Sequence, residues 1–519
     1  MTARPRVFMA FSSRAPADAT LAARLTAVLR ARGVPVAARA DDTCTHFLAI
    51  LSGTTGTSTS ASTPAERDVA EQIASAVERR RSHGTPALFL LAPDGTDLGR
   101  LAAPVGPFRR IRWHDGFGAQ VDEVARALDV PVTLPSGAAG LIDDKTAGFL
   151  GREYVFDAID DFVGGPAGRG YFRLEGDPGD GKTAIMAEYV RRTGCVAHFN
   201  VRSQGIVGAR QFVTNLGAQL RAKYGIAAPA DAGDTGRYGE LVGRMLAEAR
   251  AALPDDVPLI VAVDALDEAE RQEESDAVNV LFLPPVLPAG VYVLVSSRRA
   301  EVPLRIETAW SRYDLGEHLS AAMVDIRDFL TRTGGSHSEL AAWLAYQRIP
   351  LGRFVDVLAE KSEGNFMYLR HVLPELSGGL YSDLDIQQLP HGLENYYESH
   401  WRLMGMTARP SPRTKIWVVY VLCEVASPVS IALLARVMRE TDARADAIGI
   451  QEVLTDWRQF LRRESTPDGP RFSIYHSSFR DFLKKQDTVS SAGVSIKGIN
   501  EAISDVLWEN EYGNEHGED

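Results

Sequence analysis

Over the first 130 residues, short unbroken apolar runs alternate with stretches whose apolar positions recur at helical spacing. Runs at residues 7–11, 34–38, 45–51 and 87–91 predict buried strands. Residues 19–32, stopped by Gly33, and residues 65–81 predict helices. Strand–helix alternation of this kind implies a parallel, doubly wound sheet. Residues 131–145 carry Pro, Gly and Ser without periodicity and read as a linker. A second α/β unit begins near Phe149, with strands predicted at 171–174, 196–199, 259–263 and 291–295 and a helix at 183–192. Beyond residue 315 the pattern turns helical, over 320–378 and again over 389–483, with one late strand at 472–475. The acidic end, ENEYGNEHGED, reads as a frayed tail. No internal repeat is visible.

Composition narrows the class. The 519 residues are 45% hydrophobic and 24% charged, which suits several packed domains and excludes a largely disordered or collagenous chain. A net charge of −12 gives no global field for nucleic acid, so nucleic acid is not an expected partner. The three cysteines, Cys44, Cys195 and Cys423, are too few for a disulfide framework. No apolar stretch approaches the roughly 20 residues that span a bilayer, and the first residues lack a signal-peptide pattern. A cytoplasmic protein with no membrane partner is expected.

Residues 176–183 read Gly-Asp-Pro-Gly-Asp-Gly-Lys-Thr, an intact G-x-x-x-x-G-K-[ST] between a predicted strand and a predicted helix. Gly176, Gly179 and Gly181 let backbone N–H groups face inward at a helix N-terminus, with Asp177, Pro178 and Asp180 completing the loop. Lys182 has the reach for terminal phosphates, and the Thr183 hydroxyl suits Mg²⁺. The apolar run 259–263 ends at Asp264, which would hold Mg²⁺ directly or through water. Asp267 or Glu268 could orient an attacking water, or cap the structure that follows. Strand 291–295 leads to Arg298 and Arg299. A cation there could sense a terminal phosphate, or be a solvated arginine. ATP or ADP with Mg²⁺ is the expected ligand.

Taken in order, Phe149-Leu-Gly-Arg152-Glu153, GDPGDGKT, VDALDE, SSR and Ser362-Glu-Gly-Asn-Phe-Met-Tyr-Leu369 resemble the STAND class of P-loop NTPases, which includes NACHT and NB-ARC proteins. The segment Tyr475-His476-Ser-Ser-Phe-Arg-Asp-Phe-Leu483 is similar to the histidine-bearing strand and helix of that class's winged-helix domain. The resemblance covers about residues 147–485. It departs at Gly364-Asn365-Phe366, where NB-ARC members carry Gly-Leu-Pro. It implies that Arg152 belongs to the nucleotide site and that His476 touches the phosphate side of a bound ADP; a structural histidine is the alternative. It also implies a switch in which ADP holds the domains closed, while ATP opens them and permits self-association.

Residues 5–130 resemble Toll/interleukin receptor (TIR) domains, on Val7-Phe-Met-Ala-Phe-Ser-Ser13, on Phe47-Leu-Ala-Ile-Leu-Ser52 and on the Ser-rich loop leading to Glu66. That resemblance implies a flavodoxin-like parallel sheet and, in catalytic members, a glutamate acting on NAD, with Glu66 in the best position and Glu71 as alternate. The connection over residues 39–45 is shorter than in catalytic members. The expected fold is therefore a multidomain α/β chain. It has a TIR-like effector or interaction domain (1–132), a linker (133–146), a P-loop NTPase domain (147–315), a small helical domain (316–385), a winged-helix domain (386–485) and a tail (486–519). The expected function is an ATP/ADP-switched signalling ATPase of immunity or regulated cell death. An ATP-gated NAD-cleaving enzyme and a STAND-type transcriptional regulator are the alternatives. No repeats follow Leu483, so a separate sensor chain, or a missing segment, is expected to recognise the trigger.

Overall fold

A computed structural model of the chain describes residues 5–12, 15–41, 43–51, 64–93, 96, 108–113, 117–130, 134–135, 137–227, 238–255, 257–270, 279–299, 302–378, 386–408, 412–425, 427–439, 447–467, 469–486 and 498–504. The first sheet comprises β1 (Val7–Ala10), β2 (Val36–Ala37), β3 (His46–Ile50), β4 (Ala87–Leu91) and β5 (Arg109–Ile111). All its pairings are parallel, in the order β2-β1-β3-β4-β5. That is the 2-1-3-4-5 order of doubly wound flavodoxin-like sheets. Helices α1 (Pro16–Ala31), α2 (Pro64–His83) and α3 (Phe117–Ala127) flank it. Strands β3 and β4 are almost continuously apolar because both sheet faces are covered, as the two core clusters on either side show. Strand β5, with two exposed arginines in three residues, has no apolar run to announce it. The strand expected over 34–38 forms ladder bonds only at Val36–Ala37.

The segment expected as a linker is partly helix. Residues Ala139–Thr146 form α4, which buries Ile142 against the second unit. One buried apolar face in eight residues is too short a period to stand out in the sequence.

The second unit comprises, in chain order, α5 (Glu153–Gly164), β6 (Gly170–Glu175), α6 (Lys182–Thr193), β7 (Val196–Phe199), α7 (Ala209–Tyr224), α8 (Tyr238–Ala251), β8 (Leu259–Asp264), β9 (Val291–Ser297) and β10 (Trp310–Asp314). Its strands are all parallel, in the order β10-β6-β9-β8-β7. Every residue of β8 and β9 is buried, which explains their unbroken apolar runs. Strand β10 was not expected. It is an edge strand with three charged or exposed side chains, paired only to β6.

Helices α9 (Leu319–Ser336), α10 (Ser338–Tyr346), α11 (Leu351–Ser362) and α12 (Phe366–Ser377) follow, then α13 (Gly392–Leu403) and α14 (Arg413–Glu424). The last elements are β11 (Val429–Ser430), α15 (Ile431–Arg439), α16 (Ala447–Asp456), β12 (Leu461–Thr466), β13 (Gly469–Ile474) and α17 (Ser477–Lys484). The single late strand expected from the sequence is thus one of three, in an antiparallel sheet ordered β11-β13-β12. Strand β12 (LRREST) alternates intermediate and exposed positions and has no apolar run. One apolar cluster runs from Ile326 to Ala502, so the core is continuous across the boundary expected at 385/386. Residues 498–504 of the expected tail are helical and bury Ile499 and Ala502 in that cluster.

Two histidines sit inside the aromatic part of this core. Burial holds His371 down to about 3, with the charges of Arg370 and His400 adding to the effect, and burial holds His400 down to about 4. An unfolded chain takes up those protons near pH 6.5, while the folded chain refuses them until about pH 4 at His400 and about 3 at His371. Stability from these groups is therefore full above about pH 6.5 and declines as pH falls towards about 4 for His400 and about 3 for His371. Thermal midpoints measured at about pH 7.5 and about pH 5.5 should fall with acidification, and His400→Gln should make the fall shallower. An unchanged slope in that variant would contradict the assignment.

Candidate phosphate-binding site

The carboxyl ends of β6, β8 and β9 meet at one edge of the second sheet, where open α/β sheets bind ligands. Strand β6 ends at Glu175, the loop 176–181 turns, and α6 starts at Lys182. Gly179 and Gly181 have φ of 94° and 90°, values an L side chain resists, so glycine is required at both. A Cβ on Gly179 would also come within 2.7 Å of the Asn365 amide. The loop is braced internally: the Asp177 N–H donates to Asp180 Oδ2 (2.6 Å), and Lys182 Nζ donates to the carbonyls of Gly176 (2.8 Å) and Asp177 (2.9 Å). Burial lowers the Lys182 pKa, against the carboxylates of Asp180, Asp267 and Asp264. Burial raises that of Asp180.

Asp264 closes β8 and is 2% exposed. The Ser296 hydroxyl donates to its Oδ1 (2.5 Å), and the Asn200 side-chain amide donates to its backbone carbonyl (2.8 Å). Burial pushes its carboxyl up, while Ser296, Thr183 and Lys182 favour the ionised form. Asn200 Oδ1 is buried with no protein partner among the described residues. Thr183, Asp264 and Asn200 border the same small cavity, of about 100 Å³. Hard oxygens with a single carboxylate fit Mg²⁺, which takes few protein ligands and leaves the rest to water and phosphate oxygens. The candidate metal ligands are therefore Thr183 and Asp264, with Asn200 added by the structure.

Asp267 and Glu268 both border the site, yet each already has a partner. Asp267 pairs with Arg298 (Oδ2 to Nε, 3.1 Å) and accepts from the Arg298 N–H (3.2 Å). Glu268 Oε2 accepts from the Arg202 N–H (3.0 Å), and burial raises its pKa. A carboxyl raised in this way is suited to take a proton from water. The second guanidinium donor of Arg298 reaches Asp481 on α17 (2.5 Å), so the arginine spans the sheet edge and the C-terminal unit. Arg299 is not a free surface cation. It pairs with Asp177 of the loop (2.5 Å) and with Asp314 (2.7 Å). Asp314 drops to about 2 through those hydrogen bonds.

His476 lies in the same region. Its Nδ1 accepts from the Ser478 N–H (3.1 Å) and so caps α17. The ring borders a cavity of about 180 Å³ together with Lys182, Thr183, Glu268 and Arg298. Burial and the surrounding cations, Lys145 first among them, keep it neutral. His476 thus holds the start of α17 and lines the cavity at the loop.

Several site groups were not singled out from the sequence. Lys145 of α4 donates to the Tyr475 hydroxyl (3.0 Å), and the Arg370 guanidinium lies 4.7 Å over the Tyr475 ring. Asn365 caps α12 and donates to the Pro178 carbonyl of the loop (3.3 Å). Its position just before an apolar helix was the one legible signal. Arg152, which the resemblance did assign to the nucleotide site, is in a left-handed conformation (φ 63°), donates to the Asp180 carbonyl (3.0 Å) and lies 5.1 Å over the Phe366 ring.

The N-terminal candidates were expected at a separate crevice of the first sheet. Glu71 is an exposed residue of α2. Glu66 belongs to the same helix, but its side chain and the loop over 52–63 lie outside the described residues.

Strand, glycine loop, helix, buried acid and metal-compatible oxygens define a P-loop nucleotide-binding fold. Among solved structures, the chain is similar to the Walker-type ATPase PABY2304 of Pyrococcus abyssi, at 11% identity and TM-score 0.30, over 65% of this chain and 96% of that one. It is similar also to NtrX of Brucella abortus in complex with ADP, at 10% identity and TM-score 0.23, over 97% and 100%. The RuvB Holliday junction branch migration motor of Thermotoga maritima is a third, at 13% identity and TM-score 0.24, over 66% and 99%. No protein-family model and no curated protein matches the chain.

Removing the lysine tests the site. Lys182→Ala deletes a charge-assisted contact to phosphate, so the ADP dissociation constant should rise at least about tenfold by calorimetry. An unchanged constant would contradict the assignment.

Proposed function

We propose that this chain is an ATP/ADP-switched signalling NTPase of the STAND type, in which the C-terminal unit closes over the nucleotide. The observation that carries this reading is the Arg298 bridge: one guanidinium joins Asp267 at the phosphate site to Asp481 on α17. Tyr475 and His476 border the phosphate-site cavity from the same unit. A terminal phosphate draws on the same guanidinium that holds Asp481, so ATP binds the open arrangement better than ADP does. Such differential affinity is what biases a two-state equilibrium.

In this reading residues 386–485 are a winged-helix unit, supported by the three-stranded antiparallel sheet and its helices. Residues 316–385 are a helical unit that reaches the loop through Asn365. Residues 147–315 are the NTPase unit. The N-terminal unit is a TIR-like interaction module, supported by its 2-1-3-4-5 parallel order. The open form self-associates and presents that module, which suits a role in immunity or regulated cell death. Glu268 or Asp267 orients the attacking water, and Thr183 and Asp264 would hold Mg²⁺, which would supply neutralisation of phosphate charge.

Two outcomes follow. Turnover should be slow, and Glu268→Gln should lower it by about a hundredfold or more, in the range of lost general-base catalysis, with ATP affinity nearly unchanged. Parallel loss of affinity and turnover would make Glu268 a structural group. Asp481→Ala should raise the open population roughly 5- to 150-fold, read as faster ADP release and a larger scattering radius. A closed, ADP-retaining variant would overturn the switch.

A further inference from the structure

The N-terminal unit meets the NTPase unit mainly through charge. Helix α1 spends its apolar residues Leu25, Val28 and Leu29 on its own sheet. The side turned to the NTPase unit carries small residues and arginines. Arg24 is ion-paired to Glu153 and to Asp157 of α5 (3.0 Å to Asp157), with only 19% of its side chain exposed. Arg32 donates to the backbone carbonyl of Arg192 at the end of α6. Glu153 also binds Arg192 (2.9 Å), which is 5% exposed and held by Glu188 (2.8 Å). Ala31 is the one α1 residue in the NTPase core cluster. Beside these contacts lies a cavity of about 710 Å³ between Ala19, Ala23 and Ala27 of α1 and Asp160 of α5. Permanent interfaces are close-packed, whereas a polar contact beside an unfilled cavity suits reversible docking.

Glu153 is the first residue of α5, and its neighbour Arg152 belongs to the phosphate site. The Arg152 side chain donates to Asp180 O of the loop, and its N–H donates to Asp325 of α9 (2.7 Å). The start of α5 is therefore pinned by the loop and by the helical unit, while the same helix presents Glu153 and Asp157 to Arg24.

We infer that α1 is an electrostatic latch seated on α5, and that the state of the phosphate loop, acting through Arg152 and Glu153, sets whether the latch is engaged. The docked partner is this chain's own N-terminal unit. The coupling rests on the nucleotide-switch reading; the latch itself rests on the ion pairs alone.

The test uses the full chain and three proteins: wild type, Arg24→Glu and Arg24→Lys. Hydrogen exchange in α1 and α5, and release of fluorescent ADP, are read for each. Arg24→Glu should lose at least about tenfold of the amide protection in facing segments of α1 and α5. By reciprocity of linked sites it should also change the rate of ADP release about fivefold or more. Arg24→Lys keeps the charge and should stay near wild type in both. Unchanged protection in Arg24→Glu overturns the latch. Lost protection with unchanged ADP release overturns the coupling and leaves a simple interface. A wild type that binds no ADP overturns the nucleotide reading, and the coupling with it, while protection still decides the latch. Global unfolding of Arg24→Glu would show as lost protection in β8 and β9 as well. In that event Asp157→Ala takes its place, and loss confined to α1 and α5 supports the latch whereas no loss overturns it.

Discussion

Cations gathered to bind a phosphate chain must be balanced, because an unpaired charge away from water is costly. In this protein that balance comes mostly from carboxylates and carbonyls of the same α/β unit, with Asp481 supplied by the C-terminal unit. Arg298 is shared between Asp267 and Asp481, Arg299 between Asp177 and Asp314, and Arg152 leans on Asp180 and Phe366. The loop thereby becomes the point at which the α/β unit, the helical bundle and the C-terminal sheet converge. Any ligand that redistributes charge at the loop acts on all three.

The same economy reaches the N-terminal unit through two adjacent residues. Arg152 faces the loop and Glu153 faces Arg24, so one helix terminus serves both contacts. Apolar packing there is slight beside that of the continuous core from Ile326 to Ala502. The chain thus combines a C-terminal body built on one continuous apolar core with a front unit whose described contacts are largely ionic.

Much of the site was legible because its chemistry demands local sequence. A phosphate loop needs glycines at φ near +90°, followed at once by lysine and threonine, and a buried parallel strand ending in Asp264 reads as an apolar run. Segments lacking such local constraints were missed. Strands β10 and β12 are half-exposed, and α4 buries a single isoleucine. Asp481 and Lys145 matter only through partners some 180 and 330 residues away, Arg298 and Tyr475, a relation that no spacing rule encodes. His476 was singled out through its motif, and the structure shows its side chain capping α17.

The central claim is that α17 is held against the sheet edge in one nucleotide state and freed in the other. Spin labels on exposed residues of α17 and of α8, read by pulsed electron resonance, measure that separation in the full chain. One narrow distance with ADP, and a longer or broader one with a non-hydrolysable ATP analogue and Mg²⁺, is the predicted result. The same distance with both nucleotides would contradict the account.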